Sequence, residues 1–242
     1  MGRILTYVKN FLLDLFFPRF CVGCNQEGFY LCQDCLSLIE ILENQYCPFC
    51  NLPKIVLDGK TCPRCKKLKA LSGLYFATSY QTPLVKKMIS LFKYPPFIKE
   101  LSGPLTSLII THFQILGKNH NVFKVKRFVL IPVPLHRKQL KKRGFNQSEE
   151  IAKGLSVFWD IPLINNVLIK AKETPPQVEL DEGARRENIK GVFLAKNPEL
   201  IKGKNVLLVD DVFTTGSTME ECARVLKAAG AKEVSGVTIA RG

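Results

Sequence analysis

Four Cys-x-x-Cys pairs, CVGC, CQDC, CPFC and CPRC, fall between residues 21 and 65 and constrain this chain more than any other feature. They hold eight of its nine cysteines. Two residues between cysteines let both sulfurs of one turn face a single ion, and four sulfurs close a tetrahedral Zn²⁺ site without redox change. Each ion takes two pairs. Two structural zinc ions are therefore expected on Cys21, Cys24, Cys32, Cys35, Cys47, Cys50, Cys62 and Cys65. The gaps of seven, eleven and eleven residues suit sequential pairing most simply, and an interleaved cross-brace also satisfies them. Disulfides would require an oxidising compartment, and thioredoxin-like chemistry uses one such pair beside a strand-helix pattern. Cys222, the ninth, lies among Met219, Ala223, Val225 and Leu226 at helical spacing and reads as core.

Residues 1–19 carry Ile4, Leu5, Val8, Phe11, Leu12, Leu15 and Phe16 at helical spacing, with Lys9 and Asp14 interrupting. That is an amphipathic helix, not a secretory signal. The uncharged stretch 101–117 is too polar for a bilayer and has Pro104 near its start, so the protein reads as soluble and cytoplasmic, with no membrane span.

A small metal-bound unit at 20–70 gives way after KKLKALSG, and the remainder, 71–242, alternates strand and helix patterns. Strands are expected at 74–80, 127–133, 166–170, 205–211 and 233–240, and helices near 83–92, 98–116, 147–158 and 217–229. Several strands are continuous apolar runs, which implies burial on both faces. The fold class is therefore α/β, a mostly parallel sheet flanked by helices with right-handed crossovers. Ligands in such folds bind beyond the carboxyl ends of the strands.

Charge narrows the ligand class. The net charge of +14 favours phosphorylated or polyanionic partners. No Asp or Glu occurs from Leu101 to Ser148, a span that holds Lys118, Lys124, Lys126, Arg127, Arg137, Lys138, Lys141, Lys142 and Arg143.

One strand ends in a distinctive way, as NVLLVDDVFTTGSTM from 205 to 219. The apolar run delivers Asp210 and Asp211 to the sheet edge, and Val212, Phe213, Thr214, Thr215, Gly216, Ser217 and Thr218 then turn into a helix. The first N–H groups of that helix lack internal partners and form an anion socket, with Gly216 allowing close approach and the hydroxyls adding donors. Thr218 and Glu221 have capping-box spacing. Carboxylates accept from hydroxyls while the socket holds a phosphate, and a ribose 5-phosphate offers both. A nucleotide hydrolase would also need a G-x-x-x-x-G-K-S/T segment upstream, and there is none.

VLLVDDVFTTGST resembles the signature loop of type I phosphoribosyltransferases. Together with LIPVPLHRKQLKKRGFNQSEEIA at 130–152, TPPQVELDEGARRENIKGVF at 174–193 and the four cysteine pairs, it resembles the ComF family over nearly the whole chain. The resemblance implies a double zinc ribbon before a type I phosphoribosyltransferase fold. It also implies that Asp210 and Asp211 hold the ribose hydroxyls of phosphoribosyl pyrophosphate with Mg²⁺, and that Arg137, Lys138, Lys142 and Arg143 face pyrophosphate. Arg185 or Arg186 would close over the site on a hood formed by 174–188.

Two functions follow from the resemblance. In one, the chain handles single-stranded DNA during natural transformation, with other DNA-uptake proteins such as a competence helicase as partners. Its basic span then contacts phosphates, while Phe145, Phe158 or Trp159, or Phe29, Tyr30 and Phe49 near the knuckles, stack on bases. In the other it is a working phosphoribosyltransferase of small-molecule metabolism, amidophosphoribosyltransferase-like. Catalysis there is electrostatic: cations stabilise departing pyrophosphate, and Asp210 and Asp211 lie under the electron-poor ribose.

Overall fold

The computed structural model describes residues 18–50, 52, 54–117, 128–174 and 188–242. All but the end of the expected N-terminal helix lies outside them, as do Lys118, Lys124, Lys126 and Arg127, and hood residues 175–187 with Arg185 and Arg186.

Strands β1 (Gly73–Ser79), β2 (Phe128–Pro132), β5 (Asn205–Val209) and β7 (Glu233–Arg241) form a parallel sheet in the order β1-β7-β5-β2. A short fifth strand, β6 (Val212–Phe213), pairs with the end of β7. Strands β3 (Leu168–Lys170) and β4 (Phe193–Ala195) make a separate antiparallel ribbon. The continuous apolar runs are explained by two buried faces. In β5, Leu207 and Val209 enter one core, while Val206 and Leu208 enter the other.

Helices α3 (Pro83–Lys93), α4 (Ser102–Ile115) and α6 (Gln147–Trp159) cover the first face. Pro83 opens α3, where a missing N–H costs no hydrogen bond, and Val85, Met88, Ile89 and Phe92 recur at three- and four-residue steps. The Asn146 side chain caps α6 by accepting from the Ser148 N–H. Trp159 meets Phe113 edge-on with centroids 4.9 Å apart. Both rings are buried, each worth roughly 1.5–3 kcal/mol in transfer from water. Helix α7 (Ser217–Ala228) covers the second face with the β3-β4 ribbon.

The N-terminal unit contains two short helices, α1 (Gln33–Ser37) and α2 (Pro63–Lys66), each starting from a cysteine knuckle. Its middle segment seals the outer edge of β1. The Leu42 N–H donates to Ala77 O, the Thr78 hydroxyl to Glu40 O, and the Phe76 N–H to Gln45 Oε1. An exposed row of unpaired edge groups is thereby avoided. Buried His112 on α4 completes the seam, 2.7 Å from Leu42 O and 2.9 Å from Gln45 Nε2. A carbonyl only accepts, so Nδ1 donates to it and Nε2 accepts from the Gln45 amide.

Two aromatic expectations need correction. Phe145 and Trp159 are 8% and 1% exposed, because each falls on the inward side of its segment. Neither is available for stacking on a base. Phe158 is exposed beside Trp159, and Phe29 is exposed on the N-terminal unit.

Candidate functional site

The β5 strand ends at Val209, so Asp210 and Asp211 stand at the carboxyl edge of the sheet. Asp211 is anchored through its backbone, since its carbonyl accepts from the Ile239 and Ala240 N–H groups of β7. Asp210 Oδ1 accepts from the Ser148 hydroxyl and from the Asp211 N–H, each at 2.9 Å. Burial first, then the charge of Asp211, pushes the Asp210 carboxyl up to about 7. Lys93, at the end of α3, holds Asp211 Oδ1 at 2.7 Å. Burial works against the Lys93 ammonium, but the Asp211 and Asp210 charges outweigh it and raise its pKa.

The turn after the acids is built around Gly216, whose φ of +76° lies in the left-handed region. The Thr215 and Ser217 hydroxyls lie 2.9 Å apart, and the Ser217 N–H points at Thr215 Oγ1 at 3.4 Å. The helix α7 starts from this turn with no side-chain cap on Gly216. Thr218 is not the cap residue its capping-box spacing with Glu221 suggested: α7 starts at Ser217 from Gly216, which puts Thr218 inside the first turn, and the Glu221 carboxylate accepts from the Gly191 N–H and from Arg224.

A cavity of about 650 Å³ opens over these residues. Asp210 to Thr218 line it, as do Lys142 and Arg143. The last two belong to α5 (Arg137–Arg143), a helix the sequence pattern did not announce because it has no apolar face. Burial draws the Arg143 guanidinium below its usual value, opposed by the charge of Asp211. Arg137 and Lys138 do not line the cavity; Lys138 pairs with Glu173 on the surface at 2.5 Å. Lys93, Ser148, Lys86 and Lys170 line it without having been expected. They arrive from α3, α6 and β3, through tertiary packing that no local motif encodes. Tyr80, Tyr94 and Phe97 give the cavity an aromatic wall.

The eight knuckle cysteines form two groups, Cys21, Cys24, Cys32 and Cys35, then Cys47, Cys50, Cys62 and Cys65, with the sulfurs of each group within 4.8 Å of one another. The pairing is sequential. Sulfur separations of 3.6 Å and 3.8 Å in the second group match the edge of a tetrahedron with Zn–S bonds of about 2.3 Å. The Cys62 N–H donates to Cys47 Sγ, as the Cys32 N–H does to Cys21 Sγ. In the second group the Cys65 N–H leads in bringing the Cys62 thiol down to about 6, while burial and the neighbouring sulfurs push Cys65 up to about 12. Sulfurs so close cannot all ionise without a cation between them, and a Zn²⁺ ion held by the four would supply it.

Residues 12–66 match the double zinc ribbon domain family, and residues 140–242 the phosphoribosyl transferase domain family. Competence protein F of Haemophilus influenzae is 39% identical over 234 residues, spanning 93% of this chain and 98% of its own. The chain belongs to the ComF family. Competence protein ComFC of Bacillus subtilis is 28% identical over 221 residues, 87% of this chain and 84% of its own. DNA utilization protein YhgH of Escherichia coli O157:H7 is 29% identical over 205 residues, 84% and 87% respectively. This ComF chain thus has a type I phosphoribosyltransferase fold preceded by a double zinc ribbon whose two four-cysteine groups are structural zinc sites. Among the described residues no helix is long and apolar enough to cross a membrane.

Proposed function

We propose that this ComF chain binds phosphoribosyl pyrophosphate with Mg²⁺ in the cavity at the carboxyl edge of the sheet, and that it works in the cytoplasm on single-stranded DNA during DNA uptake. The observation that carries the reading is that the Asp210–Asp211 pair, the Gly216 turn, Lys142 and Arg143 line one cavity. Carboxylates suit vicinal hydroxyls, the turn suits a terminal phosphate, and a guanidinium fork suits bridging pyrophosphate oxygens. Two carboxylates fit a site for a magnesium-loaded ligand, where the metal would neutralise charge on the pyrophosphate oxygens.

Within that reading each residue has a task. Asp210 and Asp211 accept from the ribose hydroxyls and fix the sugar, and Ser148 orients the Asp210 carboxylate. Lys93 balances the acid pair in the free protein and yields Asp211 Oδ1 to a hydroxyl on binding. The amides and hydroxyls of 214–218 take the 5-phosphate. Arg185 and Arg186, which lie outside the described residues, would add phosphate contacts.

The relatives' names, competence and DNA utilization, support the DNA role, and so does the run of cations along α5. Calorimetric titration of phosphoribosyl pyrophosphate and Mg²⁺ into the zinc-loaded protein tests the site. Saturable binding that Asp211→Asn abolishes supports it. No binding to the wild-type chain rejects it.

A further inference from the structure

The second zinc ribbon touches Phe213, the residue immediately before the turn that the proposed function assigns to phosphate. Phe49, inside the knuckle Cys47-Pro48-Phe49-Cys50, packs both on the Cys47, Cys62 and Cys65 group and on the core under α7. Its ring meets that of Phe213 edge-on, with centroids 6.0 Å apart and planes at 68°. Phe213 is 1% exposed. The Phe213 ring also lies so close to Gly216 that a Cβ there would sit 2.3 Å from Cζ.

These contacts run without a gap from a four-cysteine group through two aromatic rings to the glycine of the turn. A second strand of contacts runs beside them: Arg241 Nη2 donates to Pro48 O at 3.4 Å, and the Gly242 N–H donates to Phe213 O at 2.9 Å. The first cysteine group packs elsewhere, against Leu31 and Leu84.

We propose that Phe49 is a positioning residue for the phosphate-binding turn: the second zinc group fixes Phe49, Phe49 fixes the Phe213 ring, and that ring holds residues 214–217 in the conformation that receives a phosphate monoester. The inference rests on reading that turn as a phosphate site. It assigns the second ribbon a task the first does not share. A turn that samples other conformations binds more weakly in proportion to its competent fraction, so loss of one aromatic edge contact weakens binding on the order of 3- to 10-fold.

The test compares the full-length zinc-loaded protein with Phe49→Ala, Phe49→Tyr and, as control, Phe29→Ala on the first ribbon. Four quantities are read: zinc per chain, melting temperature, affinity for phosphoribosyl pyrophosphate with Mg²⁺, and amide hydrogen exchange of residues 214–218 without ligand. The expected result is that Phe49→Ala keeps both zinc ions, binds about 3- to 10-fold more weakly and exchanges faster at the turn. Phe49→Tyr and Phe29→Ala match wild type. Wild-type affinity and exchange in Phe49→Ala overturn the inference and leave the ligand reading intact.

If the wild-type chain itself does not bind, the ligand reading fails, and the exchange comparison alone decides whether Phe49 holds the turn. Should Phe49→Ala lose zinc, Phe49→Leu, which keeps apolar volume without a ring edge, is measured against the same two outcomes.

Discussion

Replacing Gly216 by Ala probes the site with the smallest possible perturbation. An added methyl would lie 2.3 Å from Phe213 Cζ and 2.8 Å from Cε2, far inside any real contact. The ring cannot swing aside, because it is buried and has Phe49 against its edge. Two costs add. Holding Ala at a φ of +76° costs on the order of 1–2 kcal/mol, and forcing a carbon into a packed site about 1–3 kcal/mol. A total of roughly 2–5 kcal/mol corresponds to a melting temperature lower by about 5–15 °C in a chain of this size. If the turn moves instead, the same energy appears as lost affinity for phosphoribosyl pyrophosphate. Thermal melts and titrations on the zinc-loaded protein read both. Adding Phe213→Leu to Gly216→Ala should recover the packing part but not the backbone part, giving a favourable coupling of about 1–3 kcal/mol. Unchanged melting and unchanged affinity in Gly216→Ala would refute the reasoning that the ring and turn are locked together.

Other expectations follow from the same contacts. Asp210 titrates near 7, well above its ordinary 3.8, so the folded state holds its proton more tightly than the unfolded chain. Its contribution to stability is present below about 4 and is lost as pH rises toward 7, whereas ribose binding, which needs the carboxylate, strengthens over the same rise. Since the Lys93 charge lowers the Asp210 pKa, Lys93→Met should move the midpoint of the binding-versus-pH curve upward; an unmoved midpoint would contradict the coupling. Cys62→Ser and Cys32→Ser should each leave about one zinc per chain by metal analysis, but only Cys62→Ser should weaken phosphoribosyl pyrophosphate binding. Lys142→Ala with Arg143→Ala should flatten the salt dependence of single-stranded DNA binding by about 0.7 in logarithmic slope for each lost phosphate contact, and equal slopes would take DNA off α5.

The sheet was legible because burial on both faces writes continuous apolar runs such as NVLLV, and α3, α4, α6 and α7 because each buries one periodic face. The basic α5 left no such trace, since none of its residues is buried. The acid pair and its glycine turn are adjacent in the chain and could be read directly, as could the cysteine knuckles. Their sequential pairing could not, because spacing satisfied two topologies. Lys93 and Ser148 reach the acids from helices 118 and 62 residues away, so only tertiary packing announces them. Phe49 looked like a surface aromatic beside a metal site, yet it meets the ring of Phe213, which leads into the turn, a contact across 164 residues.

A crystal soaked with phosphoribosyl pyrophosphate and Mg²⁺ tests the central claim most directly. The account predicts the 5-phosphate on the amides and hydroxyls of Thr214 to Thr218, both ribose hydroxyls on Asp210 and Asp211, and the Lys93 ammonium displaced from Asp211 Oδ1. A ligand bound elsewhere in the cavity, with the Lys93–Asp211 pair intact and the Gly216 turn empty, would contradict it.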